Sequence, residues 1–341
     1  YKRPYNFFIY SSLMIIVTGG AGFIGSNIVA ALEKAGKKDL VVVDELGSSD
    51  KWKNIAKREL CAVIPPEDML DYMEAHAEEI EAVIHMGAIS ATTETDADLI
   101  IRTNFTLSWR LWEFCALYGK QFIYASSAAT YGDGSMGFDD DSSLEHVNAL
   151  RPLNAYGWSK ALFDRKVARE VKEGRPVPPQ YAGLKFFNVY GPNEYHKGGQ
   201  KSVVAHIFPQ VKVNETVKLF KSYHPDYRDG WQLRDFVWVG DCVNVVLWLL
   251  DHPEVSGLFN VGSGEARSFY DLAKAAFNAL GLQEKIAYRE MPEELKGKYQ
   301  YYTQADLSRL RAAGYAAPMT SLEDGVRQYV QKYLDREDSY V

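Results

Sequence analysis

Three cysteines in 341 residues, at positions 61, 115 and 242, are too few and too scattered for a disulfide framework. They point to a reducing compartment, and each reads as a small core hydrophobe rather than a nucleophile. No apolar run reaches the ~18 residues of a membrane span, so no membrane partner is expected. No basic tract stands out, and a net charge of -7 argues against nucleic acid as the main partner. There is no internal repeat and no low-complexity tract, and no metal site is expected. What these absences leave is a cytoplasmic globular chain of one large domain or two intimate ones.

The N-terminus imitates a signal peptide only loosely. Lys2 and Arg3 precede Phe7-Phe8-Ile9-Tyr10, but no small-residue cleavage site follows. The apolar run flows on into the next segment, Met14 reads as a natural start, and residues 1–13 read as an N-terminal extension.

That next segment is Met14-Ile-Ile-Val-Thr-Gly-Gly-Ala-Gly-Phe-Ile-Gly25. A short apolar run predicts a buried parallel strand. It breaks into glycines and is followed by a helical apolar pattern at Ile28, Val29 and Leu32. In that strand–turn–helix context, glycine spacing means a dinucleotide site rather than a loose loop. Gly19 permits the tight turn, Gly22 lets the backbone approach a pyrophosphate, and Gly25 lets the helix pack on the strand. The helix N-terminus then offers its N–H groups to the phosphates.

Further strands are predicted at 40–44, 81–87 and 121–127, and from Tyr181 toward Tyr190, with helical stretches at 100–118 and 154–172 between them. This alternation predicts an α/β fold, a Rossmann-like doubly wound parallel sheet over residues 14–190. Beyond Gly191 the elements shorten and Pro, Gly and Tyr become frequent. Residues 191–341 read mainly as a smaller C-terminal α/β substrate-binding lobe, with segments near 235–262 returning to the main sheet. Strands are expected at 235–239 and 257–261, with helices near 241–251 and 268–280.

Asp44 lies nineteen residues after Gly25, where a carboxylate can accept from a ribose 2′-OH. That favours NAD. Lys51, Lys53, Lys57 and Arg58 follow, and can equally hold the 2′-phosphate of NADP or form a solvated face.

Tyr156-Gly-Trp-Ser-Lys160 places a phenol and an ammonium on one helix face. A nearby cation lowers a Tyr pKa, and bringing it from about 10 toward neutrality takes about 4 kcal/mol at ~1.36 per unit. Such a tyrosine is a usable acid/base for an alcohol–ketone interconversion. The spacing recurs at Tyr181/Lys185 and Tyr270/Lys274. The first falls in a predicted strand, where four residues span ~13 Å. The second lies outside the cofactor half. Only Tyr156 follows a strand ending in Ser126-Ser127, whose hydroxyl can hold the reacting oxygen.

Thr18-Gly-Gly-Ala-Gly-Phe-Ile-Gly25, Ser126-Ser-Ala-Ala-Thr-Tyr-Gly132, Tyr156-x-x-x-Lys160 and Asn188-Val-Tyr-Gly-Pro192 together resemble the extended short-chain dehydrogenase/reductase family, which acts on nucleotide sugars. The likeness spans residues 14–335. His196-Lys197-Gly198, the run from Arg234 to Asp241 and the run from Lys296 to Tyr315 are similar to its branch of epimerases working at C6 of an ADP-linked heptose. The resemblance implies a bound NADP, with NAD possible, an ADP-heptose substrate, and a homo-oligomer, specifically a homopentamer. It implies that Phe23, Ile24, Asp44, Glu45 and Lys51 touch the adenosine side of the cofactor. His85, Met86, Gly87, Ala88, Ile89, Asn104 and Val189 would line the rest. Ser127, Tyr156 and Lys160 would carry the redox step, and Lys197 would serve as a second base on the opposite sugar face. Asn188, Gly199, His206, Phe220, Arg234 and Tyr299 would hold the substrate. Plainer readings compete: Lys197 as a loop cation, His206 as a helix histidine, Arg234 and Asp235 as a structural ion pair, Tyr299 as core. The Ser222–Leu233 connection is longer than the family's usual one, and Met86 stands where a polar residue is expected. A UDP-sugar 4-epimerase, which needs no Lys197, and a non-enzymatic nucleotide sensor are the alternatives. A 4,6-dehydratase wants an acidic residue after the serine strand, and Ser126 to Thr130 has none.

Overall fold

The computed structural model describes residues 13–293 and 300–341. Its centre is a parallel sheet of β1 (Met14–Thr18), β2 (Leu40–Val43), β3 (Ala62–Ile64), β4 (Ile80–His85), β5 (Gln121–Ser127), β6 (Tyr181–Phe186) and β10 (Gly257–Val261). The order is β10-β6-β5-β4-β1-β2-β3. The chain reverses its direction of travel between β1 and β4, which in an open α/β sheet is where a ligand crevice forms.

Strands buried on both faces read as continuous apolar runs, and β1 shows why. Ile15 and Val17 pack on one side with Ile28, Val29, Val245 and Val246. Met14 and Ile16 pack on the other with Leu111, Trp112 and Phe163. The first side is covered by α1 (Phe23–Lys34) and α8 (Val239–Asp251), the second by α4 (Leu107–Tyr118) and α6 (Ala155–Lys172). Short helices α2 (Met69–Ala75), α3 (Ala97–Ile100), α5 (Leu144–Ala149) and α10 (Ser308–Ala312) lie in the connections. The single helix expected from Ile100 to Tyr118 contains a π-helical stretch, Ile101–Thr106. Such widened turns are frequent at functional sites.

The later part of the chain has a core of its own. There α7 (Val203–Lys212), α9 (Phe269–Ala279) and α11 (Leu322–Tyr329) pack with the parallel pair β8 (Val217–Phe220) and β12 (Ile286–Arg289). A three-stranded sheet of β7 (Asn188–Tyr190), β9 (Leu233–Trp238) and β11 (Ala266–Ser268) lies between this core and the main sheet in sequence. The expected strand 235–239 thus starts two residues earlier, and Val239 already opens α8. Three-residue β3 and four-residue β8 and β12 were not anticipated, because so few residues carry no periodic signal. Of the cysteines, Cys115 and Cys242 are core residues, but Cys61 is exposed beside Asp39.

Candidate active site

The glycine turn forms as its spacing predicts. Gly19 adopts φ +64, and a Cβ there would stand 2.6 Å from the backbone nitrogen of Gly87. A Cβ on Gly25 would stand 2.1 Å from the Gly19 carbonyl oxygen. Contacts that close admit no side chain, so β1, α1 and the turn after β4 converge at backbone distance. Helix α1 starts at Gly22 with no side-chain cap and no acidic residue in its first turn. Its leading N–H groups are left for an anion. This cradle fits the pyrophosphate of a dinucleotide.

The cradle opens into a cleft of about 850 Å³. Of the residues singled out in the sequence, Gly19, Gly22, Phe23, Ile24, Gly25, Asp44, Lys51, Met86, Gly87, Ala88, Ser127, Tyr156, Lys160, Val189, Lys197 and Gly199 line it. They come from seven separate stretches of chain.

Others do not reach it. His85 is 1% exposed and turned into the fold. Thr18 Oγ1, which accepts from Gly87 N at 3.1 Å, donates to His85 Nδ1 at 2.6 Å, because Ser108 Oγ gives its proton to the Asn104 carbonyl at 2.7 Å and so accepts from the ring's other N–H. The other ring nitrogen faces Ser108 Oγ at 2.8 Å. Burial and the Lys160 charge push the His85 pKa down to about 3, so its side chain is a neutral strut from β1 to α4, turned away from the cleft. Asn104, on the π-helical stretch, is fully buried. Its side chain bonds both the N–H and the carbonyl of Ile89 (2.8 and 2.9 Å) and reaches Ser159 Oγ at 3.0 Å. It therefore ties the loop after β4 to α6, and Ile89 is the tied residue rather than part of the wall. Glu45 is exposed and uses its carbonyl to accept from Lys51 Nζ at 2.9 Å. Asn188 is exposed. His206 is exposed, with Nε2 3.2 Å from the Gly199 carbonyl. Phe220 lies under the Arg289 guanidinium at 4.8 Å. Arg234 donates to Leu233 O at 2.8 Å and stands 5.8 Å over the Phe269 ring. Tyr299 lies outside the described residues. Sequence reasoning gave no role to Thr92, His196 or Gln200, which also line the cleft; only the adjacency of His196 to Lys197 pointed to one of them.

The structure separates the four cations after Asp44. Lys51 faces the cleft and pairs with Asp44 Oδ1 at 2.5 Å, while Asp44 Oδ2 accepts from Ala21 N at 2.9 Å. Lys53 pairs with Asp50, Lys57 with Asp338 and Arg58 with Glu33.

Helix α6 is capped by Asn154, whose side chain accepts from Gly157 N, and this fixes Tyr156 and Lys160 at the cleft. The expected lowering of the Tyr156 pKa by Lys160 is not what the geometry gives. Lys160 is 4% exposed and its ammonium donates to the Ala125 carbonyl at 2.8 Å. Burial therefore dominates and raises the Tyr156 pKa, with Ser127 pulling it back. Burial also brings Lys160 down to about 8, against the pull of Asp164. Lys197 lies 5.2 Å over the Phe23 ring and is lowered by burial, with Glu194 opposing.

The chain belongs to the NAD dependent epimerase/dehydratase family, whose model matches residues 15–262. It is 50% identical over 336 residues to an ADP-L-glycero-D-manno-heptose-6-epimerase of Fusobacterium nucleatum, covering 96% of this chain and 100% of that one. It is 49% identical over 332 residues to the protein of that name from Nitratidesulfovibrio vulgaris, with the same coverage. Among solved structures, the Helicobacter pylori ADP-L-glycero-D-manno-heptose-6-epimerase superposes with a TM-score of 0.76 at 28% identity, covering 94% of this chain and 96% of that one. A Thermotoga maritima UDP-glucose 4-epimerase with UDP-glucose gives 0.72 at 26%, covering 94% and 98%.

Proposed function

We propose that this chain interconverts the two C6 epimers of ADP-glycero-manno-heptose by transient oxidation and reduction at C6. The observation that carries the reading is that Tyr156 and Lys197, from α6 and from the segment after β7, line one cleft with the glycine cradle. Inversion needs two such groups. A single base that returns its proton on the face it came from regenerates the starting alcohol.

When bound, the nicotinamide dinucleotide supplies the acceptor and later the donor of the C6 hydride. Tyr156, ionised for this step, takes the hydroxyl proton as the C6 alcohol becomes a ketone, with Lys160 on the same helix face and the Ser127 hydroxyl, which opposes the effect of burial on Tyr156, holding the carbonyl oxygen. Once the carbonyl presents its other face, Lys197 delivers the proton to the oxygen. The reverse direction exchanges the two roles. In this reading Gly199 holds the ADP-heptose at the cleft, and Asn188, His206, Phe220, Arg234 and Tyr299 hold the part of it that extends beyond. An arginine suits a diphosphate because its donors form a planar fork.

NADP is the proposed cofactor. Asp44 is already neutralised by Lys51 at 2.5 Å, so a 2′-phosphate there meets an ammonium and no unopposed carboxylate. A homo-oligomer, as a homopentamer, and a cytoplasmic location complete the proposal. No helix among the described residues is long and apolar enough to cross a membrane.

The test is to incubate the purified protein with ADP-D-glycero-D-manno-heptose and resolve the C6 epimers. Approach to the same mixture from either epimer is expected. No conversion, together with turnover of UDP-glucose to its C4 epimer, replaces this reading with the UDP-sugar one.

A further inference from the structure

The segment Glu194–Ser202 carries Lys197 to the wall of the cleft. Its start is rooted on α1. Asn27 Nδ2 donates to Pro192 O at 3.0 Å, and Asn193, in the left-handed region at φ +72, donates to Ser26 Oγ at 3.0 Å. Its end is Ser202, the N-cap of α7. Between them Gly198, at φ +55, and Gly199 give the backbone little stiffness of its own.

What closes the segment is the Glu194 side chain. It is 0% exposed, yet its carboxylate is fully engaged. It accepts from Ser202 N at 2.5 Å, from Ser202 Oγ at 2.6 Å and from the Tyr329 hydroxyl of α11 at 3.0 Å. The Lys197 amide donates to the Glu194 carbonyl at 3.1 Å. Around this clasp stand His196, in range of Lys51, Lys197 and Asp44, and Tyr195, whose hydroxyl donates to Ser339 O. Among these groups it is Glu194 whose charge opposes the lowering of Lys197 by burial.

We propose that Glu194 is a positioning residue for the reaction: its buried carboxylate clasps the two ends of the Glu194–Ser202 segment and thereby fixes where the Lys197 ammonium meets the sugar. This rests on the reading in which Lys197 transfers a proton. A purely structural clasp needs only hydrogen-bonding atoms, and an amide supplies them. In Glu194→Gln the amide oxygen can face Ser202 N, while its NH₂ donates to the Ser202 and Tyr329 hydroxyls, whose oxygens accept. The fold survives and the charge is lost. That separates the two roles.

The amide's neutral hydrogen bonds are about half as strong as those to a carboxylate and hold the segment less firmly, so for Glu194→Gln we expect unchanged cofactor binding and KM, and a kcat lowered roughly 10- to 100-fold, the scale of a misplaced reacting group. The Lys197-dependent limb of the kcat–pH profile moves to lower pH, because the neutral amine is favoured once the opposing charge is gone. With the epimer for which Lys197 must donate, this is the alkaline limb. With the other, for which it must accept, it is the acidic limb. Glu194→Asp, which keeps the charge, leaves the limb in place. A folded Glu194→Gln variant with the parent's kcat and profile, beside an inactive Lys197→Met, overturns the proposal and leaves the Lys197 reading standing. Lys197→Met turning over at the parent's rate overturns both. Should Glu194→Gln not fold, Ser202→Ala removes the hydroxyl's bond, leaves the clasp only the Ser202 N–H and Tyr329 hydroxyl bonds, and keeps the charge. A lower kcat with the limb unmoved supports the clasp, and a parent-like kcat overturns it.

Discussion

Lys185 and Asp164 form an ion pair of 2.9 Å with each side chain 1% exposed, one turn of α6 beyond Lys160. The pair brackets Ser127 from both sides. Asp164 accepts from Ser126 Oγ at 2.7 Å. Lys185 donates to Thr130 Oγ1 at 2.7 Å, and Thr130 Oγ1 donates to the Ser127 carbonyl at 2.8 Å. So the Tyr181/Lys185 spacing, which imitates the Tyr156/Lys160 pair in sequence, marks a structural cation on β6. That cation holds the serine turn against α6.

Lys185→Met should therefore destabilise strongly, by about 3–5 kcal/mol, because it leaves the Asp164 carboxylate buried without its partner. The double change Lys185→Met with Asp164→Asn should cost less than Lys185→Met alone. Urea unfolding of the three proteins checks this. A Lys185→Met variant within 1 kcal/mol of the parent, as an order of magnitude, would show that water or another cation replaces the pair.

Tyr156→Phe keeps the ring and removes only the ionisable oxygen. Turnover should fall at least ~10²-fold, the lower range of general acid–base contributions, while dinucleotide binding persists. Tyr270→Phe should turn over near the parent's rate, since Tyr270 stacks on Trp231 at 5.6 Å and is not among the residues lining the cleft. Steady-state rates on both variants decide it, and equal damage would mean the wrong tyrosine has been chosen.

Lys160 is depressed from 10.5 to about 8 by burial, which corresponds to a stability cost of about 3 kcal/mol. The sign is opposite to that of a paired lysine. Between about 8 and 10.5 the unfolded chain binds the extra proton, so stability rises with pH across that window and the full cost is present below it. Lys160→Met should then be inactive yet more stable than the parent at pH 7, by roughly 1–3 kcal/mol. The gap should narrow as pH rises toward 10. Denaturation at several pH values is the measurement, and a pH-independent gap would contradict the assignment.

Lys51→Met should weaken NADP⁺ by at least ~10-fold, the worth of one hydrogen bond to a charged group, and weaken NAD⁺ far less. Titration of the cofactor-stripped protein with each dinucleotide reads it directly. Equal losses for both would place Lys51 away from the 2′ position.

The parts legible in the residue order are those whose information is local. The β1–Gly19–α1 turn needs three glycines within seven residues, and β5 and β10 match their expected bounds because a short apolar run flanked by polar residues defines its own ends. The i, i+4 spacing of Tyr156 and Lys160 on α6 is likewise local, and so is the strand geometry that disqualifies Tyr181 and Lys185 as a helical pair. Tertiary structure decided everything that depends on which distant group stands beside a side chain. His85 turned inward because Thr18 and Ser108 offer it two partners in the core. Lys51 faces the cleft while Lys53, Lys57 and Arg58 are drawn off by Asp50, Asp338 and Glu33. The Tyr156 pKa rises because burial disfavours its phenolate, while Lys160 is turned to the Ala125 carbonyl. Lys197 and Tyr156, forty-one residues apart in the chain, share one cleft. A pKa, a pairing and a shared cleft are set by through-space distances of a few ångströms and by exclusion of water, and the order of residues along the chain does not contain those distances until it has folded.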